Sequence, residues 1–101
     1  MDAIIEKNIE DIRKILSGNH VKRAYLFGSM AHGHVSATSD VDLFIEFDAD
    51  ISIEEYGSSY FIIHEALESL LKRPVELLTP RSMRNPVFIR EIESTRIPIF
   101  G

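Results

Sequence analysis

The feature that most constrains this chain is the order of residues between Leu26 and Leu43, which read LFGSMAHGHVSATSDVDL. A short β-branched and aromatic run ends in Gly28-Ser29, ten residues intervene, and Asp40-Val41-Asp42 opens a second strand-like run. Residues two apart on an extended backbone face the same side, so both carboxylates can grip one hard cation or a close pair of cations. Gly28 removes the side chain that would hold a phosphate off the backbone, and Ser29 offers a hydroxyl and an N–H to phosphate oxygens. Gly-Ser alone is ordinary turn chemistry, and an aspartate pair alone can cap a loop and start a strand. Their order and spacing together favour a nucleotide with magnesium.

The flanking segments alternate between helical and extended periodicity. Ile5, Ile9, Ile12 and Leu16 recur at helical spacing between Asp2 and Ser17, and Gly18-Asn19 stops that helix. Val21 to Phe27 reads as a strand that delivers Gly28. From Asp40 to Asp48, Val41, Leu43, Ile45 and Phe47 make one apolar face, and Asp40, Asp42, Phe44 and Glu46 lie on the other. Ser52-Ile53-Glu54-Glu55 is a capping-box pattern opening a helix that continues to Lys72-Arg73 before Pro74, with Gly57 as its weak point. Val75 to Thr79 predicts a third strand with Glu76 opposite Val75 and Leu77 in facing, so a third carboxylate can join the first two. A helix is expected from Pro86 to about Thr95, followed by a short apolar tail, IPIFG.

A chain of 101 residues makes one domain, 1–101, with room for a core but little for a separate acceptor-binding domain. The 16 acidic against 11 basic residues leave a net charge of -5, which argues against direct binding of polymeric nucleic acid, since that needs clustered Lys and Arg. With no cysteine there is no disulfide and no thiolate zinc site. No apolar run approaches the length of a bilayer span, and the acidic N-terminus is unlike a signal peptide, so no membrane association and a cytoplasmic location are expected. His32 and His34 invite a zinc site, but Val35 to Ser39 supplies no further ligand. His20 and His64 read as surface or helix-face residues. Lys22, Arg23, Arg81 and Arg84 read as solvated charges, and Tyr25, Tyr56 and Tyr60 as packed rings.

The run Phe27-Gly28-Ser29 to Asp40-Val41-Asp42-Leu43 resembles the signature of the nucleotidyltransferase superfamily related to DNA polymerase β. The short length, the GSxAxG variant at Gly28 to Gly33 and the later Val75-Glu76-Leu77 resemble its minimal nucleotidyltransferases (MNT), the antitoxin partners of HEPN-domain toxins. The resemblance implies an α/β (α+β) fold with a small mixed sheet flanked by helices. It implies ATP or another nucleoside triphosphate as substrate and two magnesium ions. Gly28 and Ser29 would bind the nucleotide, and Asp40, Asp42 and Glu76 would be the catalytic, metal-ligating acids. Two departures stand out: His32 replaces the usual Arg of GSxARG, and Glu76 replaces the more common Asp.

The expected activity is thus that of a protein adenylyltransferase. It would move AMP, or another nucleoside monophosphate, to a tyrosine hydroxyl of a HEPN-type RNase toxin and silence it, in a hetero- or homo-oligomer. Three other functions compete. One is an antitoxin that neutralises the toxin by binding alone, and another a small-molecule nucleotidyltransferase, which usually needs an added domain. The last is a His/Asp metallohydrolase.

Overall fold

Strict alternation along the second strand builds the sheet, because every second residue has to leave water. The computed structural model describes residues 2–28, 40–82 and 85–101, apart from the side chains of Phe88, Glu91 and Ile92; Ser29, the His32 to His34 stretch and Arg84 lie outside the described residues. The strands are β1 (Val21–Phe27), β2 (Val41–Phe47), β3 (Val75–Leu78) and β4 (Ile97–Phe100). The helices are α1 (Ala3–Lys7), α2 (Ile9–Ser17), α3 (Ile53–Leu71) and α4 (Pro86–Thr95), with a 3-10 turn at Pro80–Ser82.

The four strands form one mixed sheet in the order β3-β2-β1-β4. β1 runs antiparallel to both β2 and β4, and β2 runs parallel to β3, with α3 as the crossover between them. Val41, Leu43, Ile45, Val75, Leu77, Ala24 and Leu26 are buried on one face, against Ile5, Ile12, Leu16, Ile63, Leu67 and Leu71 from the helices. Each fully buried Leu or Ile contributes about 1.5–3 kcal/mol by leaving water. The opposite strand positions, Asp42, Phe44, Glu46 and Glu76, thereby turn to the other face.

Two expectations are corrected. The helix expected from Asp2 to Ser17 is interrupted at Asn8, where the backbone leaves helical geometry (φ -107°, ψ 12°). There the Asn8 amide donates to Ile4 O at 2.8 Å, a side-chain bond that competes with the helical ladder. The apolar tail is a strand: Ile97, Pro98 and Phe100 pair with β1. Its proline sits at an outer strand of the sheet, where a missing N–H is tolerated. The capping box is present in both directions, with Glu55 N–H donating to Ser52 Oγ at 3.1 Å and Ser52 N–H to Glu55 Oε1 at 3.2 Å. Gly57 does not interrupt α3, which ends at a left-handed Lys72 just before Pro74.

Candidate active site

Strand register lines up the predicted residues. Phe27 lies opposite Asp42 across β1 and β2, and Asp42 lies opposite Glu76 across β2 and β3. Three adjacent strands therefore bring Gly28, Asp42 and Glu76 into one row, and Asp40 stands two residues upstream of Asp42 on exposed chain.

Gly28 adopts φ +70°, a backbone conformation that a side chain makes costly. A Cβ built there would lie 2.5 Å from Asp42 Oδ2, so the glycine makes room for the carboxylate as well as for any phosphate. Sequence reasoning had assigned only the second of these roles.

Asp42 is half-buried, and its carboxyl is pushed up to about 6. Burial is the largest cause, followed by a hydrogen bond with Glu76, the Glu76 charge and the Asp40 charge. Two carboxylates that hydrogen-bond to each other must share a proton, and one held this way is protonated over part of the neutral range. The structure thus brings Asp42 and Glu76 together, with Asp40 near enough for its charge to be felt. Among the described residues, no three His, Asp or Glu side chains are already grouped to hold a metal ion. The donor chemistry nonetheless fits a hard divalent cation, since carboxylate oxygens are what magnesium prefers and a positive charge would offset the Glu76 and Asp40 charges that add to the effect of burial on Asp42.

Arg23 and Arg81 lie away from the acids. Arg23 pairs with Glu46 at 3.1 Å, and Arg81 stacks over the Tyr56 ring at 4.6 Å. Both border the opposite end of the sheet, where Lys22, Phe47, Tyr56 and Arg81 help to line a cavity of about 270 Å³. His20 faces Glu55 at 3.3 Å. His64 is half-buried and bonds the backbone of β3, a role its sequence position did not suggest. Tyr25 packs near Phe44 under Arg96, and Tyr56 and Tyr60 are half-buried, in keeping with packed rings. No helix among the described residues is long and apolar enough to cross a membrane.

Comparison with known proteins agrees with this architecture. The family model described as "Polymerase beta, Nucleotidyltransferase" matches residues 10–101. A Methanocaldococcus jannaschii protein named "Putative protein adenylyltransferase MJ1379" is 35% identical over 96 residues, covering 92% of each chain. A solved structure described as a "putative minimal nucleotidyltransferase" superposes with a TM-score of 0.75 at 24% identity, covering 97% of this chain and 96% of the other. A chain from the complex of a tri-AMPylated Shewanella oneidensis HEPN toxin with its MNT antitoxin superposes with a TM-score of 0.66 at 21% identity, over 95% of this chain and 71% of the other. At these identities the two structures establish likeness of fold. The family match over nearly the whole chain and the close M. jannaschii relative carry the assignment: this chain is a member of the polymerase β-type nucleotidyltransferase family.

Proposed function

We propose that this nucleotidyltransferase is an antitoxin that transfers AMP from ATP to a tyrosine hydroxyl of a HEPN-type RNase toxin and so inactivates it. The observation that carries the reading is the pairing of Asp42 with Glu76 beside Gly28, with Asp40 adjacent. The relative named as an adenylyltransferase and the AMPylated toxin bound to an MNT antitoxin support the choice of AMP and of a protein acceptor.

Asp40, Asp42 and Glu76 would hold two magnesium ions, which when bound supply charge neutralisation for the triphosphate and lower the pKa of the acceptor hydroxyl. Gly28 exposes backbone for the triphosphate, and Ser29 adds a hydroxyl donor. The acceptor oxygen forms a bond to the α-phosphorus, the bond from that phosphorus to the β-phosphate bridging oxygen breaks, and pyrophosphate leaves. The acceptor proton passes to solvent. Such chemistry needs positioning and charge stabilisation more than a protein nucleophile, and no histidine base is required.

Intact-mass spectrometry of the toxin after co-expression tests the reading. Wild type should add one or more AMP masses to the toxin, and Asp42→Asn should add none and leave it active. Toxin that remains unmodified and still neutralised in both cases would replace transfer by neutralisation through binding alone.

A further inference from the structure

β3 has only four residues, Val75–Leu78, and lies at one edge of the sheet. Burial of Val75 and Leu77 fixes which face each residue takes, but so short a strand does little by itself to prevent a slip of two residues, which keeps the faces. A slip of one residue would turn Glu76 to the other face, and a slip of two would set Pro74 or Leu78 opposite Asp42. The outer side of this strand is bonded by side chains of α3. Tyr60 donates its hydroxyl to Leu77 O at 2.6 Å, and His64 Nε2 bonds Val75 O at 3.0 Å. Because a carbonyl only accepts, that imidazole nitrogen carries a proton. Val75 N–H donates to Glu68 Oε2 at 2.8 Å, and the Tyr56 hydroxyl meets Thr79 Oγ1 at 2.5 Å.

Tyr56, Tyr60, His64 and Glu68 recur every four residues, so they stand in one row along the helix. Their partners run in the opposite order, from Thr79 just past the end of β3 through Leu77 to Val75. The row covers an edge that would otherwise present free backbone groups, and it ties the height of β3 to α3 at several points. α3 is itself anchored in the core through Ile63, Leu67 and Leu71.

We infer that Tyr60 and His64, with Tyr56 and Glu68 at the ends of the row, are positioning residues for nucleotidyl transfer: they fix the register of β3 and thereby hold Glu76 beside Asp42. This inference rests on the proposed role of Glu76. None of the four side chains has to touch substrate. Tyr60, His64 and Glu68 act through the β3 backbone and Tyr56 through the Thr79 side chain just beyond it, and a displacement of Glu76 by about 1 Å is enough to slow a positioned reaction up to 100-fold.

The test compares wild type with Tyr60→Phe, His64→Leu, the double variant Tyr60→Phe/His64→Leu, and His64→Gln, which keeps a donor. The assay is steady-state transfer from ATP in the presence of magnesium to the purified partner toxin. The double variant should melt cooperatively and lose about 10- to 100-fold in kcat, with KM for ATP within about twofold. His64→Gln should regain most of what His64→Leu loses. A double variant with wild-type kcat, or a His64→Gln no better than His64→Leu, overturns the inference. Asp42→Asn run alongside separates the two proposals: if it retains transfer, the reading of the acid site fails. The row is then judged by amide exchange, which must quicken at Glu76 and Leu78 in Tyr60→Phe while α2 is unchanged. Unchanged exchange at those amides overturns it independently of activity, including when the double variant does not fold.

Discussion

Replacing Asp42 with asparagine should make the folded chain more stable above pH 6, even as it removes the carboxylate on which the proposed chemistry depends. The wild-type carboxyl is pushed from the ordinary 3.8 up to about 6 by burial and by Glu76 and Asp40. The folded state therefore holds this proton more tightly than the unfolded chain. Its contribution is fully present below about pH 4, and it is lost as pH rises through about 6. For a fully shielded group this change would be worth about 3 kcal/mol. Asp42 is only half-buried, so solvent screening reduces it to about 1 kcal/mol. In a domain of this size, that corresponds to a rise in melting temperature of about 4–8 °C. Thermal melts of wild type and Asp42→Asn at pH 4 and pH 8, without divalent ions, measure it. The two proteins should differ little at pH 4, and the variant should melt higher at pH 8. Equal melting temperatures at pH 8, or a less stable variant there, would refute the account of a carboxylate destabilised by burial and by its acidic neighbours.

Addition of magnesium at pH 8 should raise the melting temperature of wild type and leave Asp42→Asn nearly unmoved, and chelation should reverse the gain. Gly28→Ala forces a Cβ to within 2.5 Å of Asp42 Oδ2 at a positive φ, so it should destabilise by about 1–2 kcal/mol and cut transfer at least about tenfold, read by melting and by initial rates. Glu76→Ala removes a hydrogen bond and a charge that help hold Asp42 up, so at pH 8 it should not lower the melting temperature, yet it should lower the initial rate of transfer by about 100-fold. Ser52→Ala breaks the capping box far from the acids and should cost about 1 kcal/mol in a melt with kcat unchanged.

Much of this arrangement was readable because it rests on short-range periodicity. The alternation of Val41, Leu43 and Ile45 with Asp42 and Phe44 fixes which side of β2 carries the acid, and Val75 and Leu77 do the same for Glu76. The break at Asn8 was not readable, because Ile5, Ile12 and Leu16 keep one apolar face through it and the interruption comes from a local side-chain bond. β4 was missed because four residues with a central proline carry no pattern of their own; β1 is what makes them a strand. The row along α3 had a signal, polar residues at positions 56, 60, 64 and 68, but only the nearby strand edge gives that spacing a purpose. The contact of Gly28 with Asp42 depends on strand register, which a single sequence does not encode by spacing alone.

The pairing of β4 with β1 also bears on the order in which the molecule is made. β1, β2, α3 and β3 follow one another along the chain, so the segment from Val21 to Leu78 closes over comparatively near contacts. β4 has to return from beyond α4 to lie against β1, the most distant strand pairing in the sheet. Entropy penalises that closure more, by about 0.6 kcal/mol for each doubling of loop length, and late closure of such contacts slows folding. The acid row is therefore expected to gain protection from exchange before β4 does.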